Sequence, residues 1–186
     1  MLITSKDVRN VLTEVDTNDD ELLALLIEYA QGMADRYCNR VFEKASSDVT
    51  RYFDGGGEDS LFVQRYPIVN ITSLYDDPDR DYTEDTKISS DDYIIYKEDG
   101  KVRLDNSVFN DSEKNVKLVY NGGYTAANLP KDLKLALIFL TTSIYVAAKG
   151  SVNAVEGGED RVKRMEETAY KVLDKYKRLF GDLEEE

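Results

Sequence analysis

Histidine is absent from this sequence, and so is tryptophan; cysteine occurs once, at Cys38, and proline three times in 186 residues. Without histidine there is no Ser-His-Asp or Cys-His dyad and no His-containing zinc site. A lone cysteine closes no disulfide within the chain and builds no thiolate cage, which fits a reducing compartment and excludes a disulfide-stapled scaffold. No stretch has the spacing of a phosphate loop. Gly55-Gly56-Gly57 runs into acids instead of a lysine and is expected to form a hairpin loop. Long apolar runs are also missing. The most apolar stretch, "LALIFLTTSIYVAA", has 14 residues and is broken by Thr-Thr-Ser, against about 20 for a membrane span. "MLITSKDVRNVL" carries no basic-then-apolar leader, so the chain is expected to be made as a soluble intracellular protein.

Acid, in contrast, is plentiful. Thirty-seven Asp and Glu face 24 Lys and Arg, a formal charge of −13. From Asp54 to Asp92 there are eleven acids and three bases, so the middle of the chain holds most of the excess. Such a balance is poor for gripping DNA phosphates or an anionic membrane, and suits a surface that repels negative charge. Asp77, Asp79 and Asp81 match the first alternate ligands of a calcium loop. The match then fails, with Tyr82 where glycine is needed and Ile88 where glutamate is needed. No cofactor or metal is expected.

Hydrophobic residues make up 41% of the chain, enough for a core. Ser5 is placed to cap a short helix bearing Val8, Val11 and Leu12. A long helix is predicted over about Asn18 to Phe42, with Leu22, Leu23, Leu26, Tyr29, Ala30, Met33, Tyr37 and Val41 on its buried face. β-Branched and aromatic residues then predict strands near 49–54, 60–64 and 69–75, the first two as a hairpin. "DYIIYKE", "KVRLD" and "NVKLVY" follow, with a turn at Asp99-Gly100. Pro130 opens an all-round apolar helix, expected to be central, and a last helix runs from about Asp160 to Phe180 with a short heptad-like seam. The fold expected is α+β: mainly a bundle of about four helices (1–45 and 128–186) with an inserted antiparallel β block (46–127), together one connector domain. The thirteen tyrosines are expected to bridge core and rim of an interface.

The stretch "LVYNGGYTAANLPKDLKL" packs a strand, an aromatic turn and a helix start together. Its Tyr120, Gly122, Gly123, Tyr124 and Pro130 are expected to reverse the strand and lock the β block to the bundle. In order and spacing, this stretch, "LITSKDVRNVL", "DELLALLIEYAQGMADRYCNRVF", "RYPIVNITSLY" and "SDDYIIYKEDGKVRL" resemble the head–tail connector (adaptor, or head-completion) proteins of tailed bacteriophages. The resemblance covers roughly residues 2–148. It implies a non-enzymatic virion protein of the neck, made in the bacterial cytoplasm. Such a protein forms a ring, expected to be dodecameric, below the portal and docks a stopper or tail-side neck protein. DNA would cross its channel without sequence-specific binding, and no membrane is involved. Asp76, Asp77, Asp79 and Asp81 become candidate lumen-facing acids. Lys175, Tyr176, Arg178, Leu179 and Phe180 become candidate portal contacts. Two rival readings use the same acidity: a DNA-mimicking module that inhibits a host nuclease, and a hydrolase working through paired carboxylates.

Overall fold

A computed structural model describes residues 1–12, 17–149 and 158–178. The chain divides into two compact units, one of Met1–Arg40 with Thr125–Glu186, the other of Val41–Tyr124. Helices account for 44% and strands for 22% of the described residues, so the fold is α+β but less helical than "mainly" implies.

In the first unit, α1 (Ser5–Arg9) is capped by Thr4, not Ser5 as expected. The Thr4 hydroxyl accepts from the Asp7 amide at 3.3 Å while Asp7 accepts from the Thr4 amide at 2.9 Å. Asp7 is the acid that makes the reciprocal box work, and it lies three residues after Thr4, not after Ser5. α2 (Asp20–Cys38) stops earlier than its apolar pattern predicts, because Asn39 turns left-handed at φ 51°. α3 (Lys131–Lys149) buries Leu133, Leu137, Ile138, Leu140, Tyr145 and Val146 and packs against α1, α2 and α4, the central place expected for it. α4 (Gly158–Leu173) turns Met165, Ala169 and Leu173 inward. Asp19 ties the start of α2 to the end of α3, accepting from the Tyr145 hydroxyl and the Lys149 ammonium, both at 2.6 Å.

The second unit holds two three-stranded antiparallel sheets. In one, the order is β1 (Val49–Phe53), β6 (Val116–Gly122), β3 (Ile68–Asp76). In the other it is β2 (Ser60–Phe62), β5 (Lys101–Leu104), β4 (Tyr93–Tyr96). One core takes Leu61, Val102 and Leu104 from the second sheet and Ile68, Leu74, Val116, Leu118 and Tyr120 from the first.

The expected β1–β2 hairpin does not form, since the two strands belong to different sheets. Gly55 explains the separation. Its amide donates to Asn115 Oδ1 at 2.8 Å and to the Ser112 carbonyl at 3.1 Å, and a Cβ there would sit 1.9 Å from the Asn110 carbonyl oxygen. Gly55 therefore anchors a crossing between sheets against the 110–115 loop. Local sequence signals a turn here; it carries no information about the distant loop that captures it.

Candidate functional site

Three groups of residues were singled out from sequence, and the structure treats each differently. Gly122 and Gly123 sit where the inbound and outbound chains of the second unit meet. Val41 donates to the Gln64 carbonyl at 3.0 Å, Tyr124 to the Phe42 carbonyl at 2.6 Å, and Lys44 to the Tyr124 carbonyl at 2.8 Å. The Arg65 guanidinium reaches the Glu43 carbonyl, and the Gly123 amide reaches the Pro67 carbonyl at 2.9 Å. A Cβ on Gly122 would stand 2.3 Å from the Arg65 carbonyl oxygen. On Gly123, whose φ is 95°, it would stand 2.7 Å from the Glu43 carbonyl carbon. Backbone thus meets backbone with no room for a side chain. Tyr120 is buried beneath, its hydroxyl 3.4 Å from the Arg65 amide. Pro130 lies in the other unit, one residue before α3, and its carbonyl accepts from Lys134 at 2.8 Å. Sequence pointed to the glycine turn, but not to its partners at 41–44 and 65–67.

The candidate lumen acids divide into two pairs. Asp76 accepts from the Asn110 amide at 2.9 Å and from Asn115 Nδ2 at 2.6 Å, so both its oxygens serve the 110–115 loop. Asp77 is buried, and its oxygens accept from the amides of Asp79 (3.0 Å) and Tyr82 (2.7 Å) and from the Thr86 hydroxyl (3.3 Å). Burial pushes the Asp77 carboxyl up. The Tyr82 and Asp79 amides, with the Thr86 hydroxyl, outweigh burial and hold it below the usual carboxylate range. Of the four, Asp79 and Asp81 are the exposed pair, and Asp76 is half-buried.

A shallow cleft nearby is lined by Asp76, Asp85, Asp92 and Asp105, with Lys87, Ile88, Leu104 and Val108. Among the described residues no group of three or more acids, cysteines or histidines is placed to hold a metal ion. No helix among them is long and apolar enough to cross a membrane.

The candidate portal segment folds back on its own unit. The Tyr176 hydroxyl donates to Asp132 at 2.8 Å, and the Arg178 amide to the Cys38 carbonyl at 2.8 Å. Between them, the Lys177 ammonium sits 3.9 Å from the Tyr37 ring centre, while the Tyr37 hydroxyl donates to Asp174 at 2.7 Å. Lys175 is exposed; Leu179 and Phe180 lie outside the described residues.

Exposed apolar side chains mark surfaces that the sequence reading missed. On α2, Leu25 is 62% and Tyr29 53% exposed, although Tyr29 was expected in the buried face. Leu22, Leu25, Tyr29 and Met33 recur at steps of three and four, a second stripe beside the buried one of Leu23, Leu26, Ile27, Ala30 and Ala34. On the first sheet of the second unit, the rings of Tyr52 and Tyr75 flank Tyr82 at 5.5 and 6.3 Å, with the Lys117 ammonium 5.1 Å from the Tyr82 ring centre. Exposed apolar faces of this kind mark contact surfaces.

The head completion protein family matches residues 1–179. This chain is a head completion protein. The expected resemblance is thereby established, and with it a structural role in completing the phage head. Solved structures similar to this head completion protein include chains of gene transfer agent particles. One chain, from the "neck of native GTA particle computed with C12 symmetry", is 13% identical with a TM-score of 0.63, over 96% of this chain and 91% of that one. Another, from the neck of the empty particle computed with C6 symmetry, is 13% identical with a TM-score of 0.65, over 98% and 94%. At that identity the likeness is one of fold. No curated protein matches the chain.

Proposed function

We propose that this head completion protein is a subunit of the neck that forms a ring below the portal, extends the channel for DNA and docks the next neck or tail protein. The family match across residues 1–179 carries the reading. Two features of the chain support it. The stripe of Leu25 and Tyr29 on α2 is an apolar face left open in the single chain, as a subunit awaiting neighbours requires. The charge of −13 suits a passage through which DNA slides without sticking.

In finer terms, Asp79 and Asp81 face the passage, Lys175 to Phe180 contributes to the portal contact, and the Gly122–Gly123 turn clamps the two ends of the β unit together. The carboxylates of Asp76 and Asp77 serve the fold by holding loops together. Neither the family nor the similar folds favour the DNA-mimic reading.

The deciding experiment uses heads assembled without this protein. Added back, the purified chain gives a ring of density below the portal in electron-microscopic averages and restores tail attachment. Restored attachment with no ring would refute the reading. Within it, Asp79→Asn with Asp81→Asn slows DNA ejection if these acids face the passage. Lys175→Glu weakens capture on portal-bearing heads if the C-terminal segment docks there. Unchanged ejection or capture removes the corresponding assignment.

A further inference from the structure

The second sheet of the β unit shows solvent a face unlike the rest of this acidic chain. Strand alternation puts Leu61, Val102 and Leu104 in the core and Phe62, Lys101, Arg103, Ile94 and Tyr96 on the other side. Phe62 is 37%, Ile94 40% and Tyr96 38% exposed. The Lys101 ammonium lies between two rings, 5.7 Å from the centre of Phe62 and 5.6 Å from that of Tyr96, and the Arg103 guanidinium lies 6.0 Å from Tyr96. Among the described residues neither cation has a carboxylate within 4 Å, and the buried Nε of Arg103 has no acceptor. Two cations held over aromatic rings beside an exposed isoleucine make a face built for carboxylates with an apolar fringe.

The same unit carries the complement. The cleft beyond the end of β5 presents Asp76, Asp85, Asp92 and Asp105 around Ile88 and Val108, the last 59% exposed, and its one cation, Lys87, is paired with Glu84 at 3.1 Å. Leu104 lines that cleft, and its side chain leaves the strand on the opposite side from Arg103. Arg103 lines, with Asp59, a pocket that shares Asp105 and Val108 with that cleft, so the cation–aromatic face and the acidic cleft are two patches that adjoin at the end of β5.

We propose that the occupant of the cation–aromatic face is a second copy of this chain, whose cleft of Asp85, Asp92 and Asp105 receives Lys101 and Arg103. A contact between two different patches on neighbouring copies repeats from copy to copy and forms a ring where the rotation closes. Charge complementarity selects the occupant. In a chain of net −13, two cations without carboxylate partners meet three acids on a matching apolar border. The inference deepens the ring reading above and rests on it, yet the two fail separately. Rings on heads that survive Lys101→Glu with Arg103→Glu would overturn this interface and spare the ring reading; heads without any ring would do the reverse.

Sedimentation of the full-length chain tests the interface directly. The wild type self-associates at low salt, and salt weakens the association. K101E/R103E and D85K/D92K each raise the dissociation constant by roughly a hundredfold, since like charges then oppose one another. K101Q/R103Q, a milder change that leaves the sheet pattern intact, raises it by about tenfold. Mixing the two charge-reversed chains pairs intact face with intact cleft and reversed face with reversed cleft, so the mixture associates as alternating copies although neither chain does alone. A chain with all four reversals associates again. A wild type that stays monomeric, variants that associate as the wild type does, or a mixture that stays monomeric would each overturn the inference. So would variants that self-associate normally but lose capture by portal-bearing heads, which would assign the face to the portal.

Discussion

Replacing Gly123 with alanine places one methyl group against the backbone of the clamped chain ends. The added Cβ would stand 2.7 Å from both the Glu43 carbonyl carbon and the Lys44 nitrogen. These atoms cannot swing aside as a flexible side chain would, because the Lys44 amide is bonded to Tyr124 at 2.8 Å and the Tyr124 amide to Phe42 at 2.6 Å. Forcing an L-residue to φ 95° costs roughly 1 to 3 kcal/mol. Overpacking against fixed backbone costs about as much again, roughly 1 to 3 kcal/mol. The combined loss, about 4 kcal/mol, is a large fraction of a typical domain stability of roughly 5 to 15 kcal/mol. For a chain of this size it corresponds to a fall in melting temperature of about 8 to 16 °C. Gly32, in the middle of α2, is the control. A Cβ there meets nothing within 4 Å, and the helix gains about 0.5 to 1 kcal/mol from alanine. Urea denaturation followed by circular dichroism measures both variants, with the slope against denaturant checked for constancy. Gly123→Ala within about 0.5 kcal/mol of wild type, the ordinary range for an inert surface change, would refute the reasoning. Valine at both Gly122 and Gly123 leaves no folded chain to measure.

Asn115 is fully buried and bonds the Gly55 amide, Asp76 and the Asn110 carbonyl; Asn115→Ala costs about 2 to 3 kcal/mol by denaturant midpoint, through groups left buried without partners. Burial pushes the Cys38 thiol up to about 12, so a thiol reagent at pH 8 labels the folded chain only at the rate of unfolding and the urea-unfolded chain at once. Burial raises the Asp7 carboxyl, but the Lys134 ammonium at 2.7 Å and the Thr4 amide and hydroxyl hold it low; Lys149 and Tyr145 hold Asp19 low in the same sense. A depressed folded value contributes stability above the unfolded value near 4 and loses it as pH falls through the folded value, so urea midpoints drop from pH 6 to pH 3. Asp7→Asn makes that drop smaller.

Step-of-three-and-four spacing located α2, α3 and α4 because each buries a helical face, and the all-round apolar character of α3 announced its central place. Where helices end is set by single backbone turns such as Asn39, which apolar periodicity does not register. Strand positions followed from composition, but their pairing did not. β1 finds β6 across more than sixty residues, and β2 finds β5 across some forty, distances over which no local turn signal speaks. Tyr29 fits the predicted core stripe because an apolar residue at the right spacing looks the same whether it faces the interior or solvent. The glycine turn was legible as a turn; its clamping partners at 41–44 and 65–67 were not, being brought there only by tertiary pairing. The acids were legible as charge, but counting charges does not reveal that the lone pairs of Asp76 and Asp77 are occupied by amides.

The bonds between residues 41–44 and 122–124 have a consequence for how such chains diversify. Some eighty residues leave and return at what is effectively one point, so the polypeptide on either side senses no more than a tight bend. Strands within that excursion are free to lengthen, shrink or be exchanged for another cassette while the anchoring pair of glycines stays put, and a relative rebuilt there would still thread its helices in the same sequence.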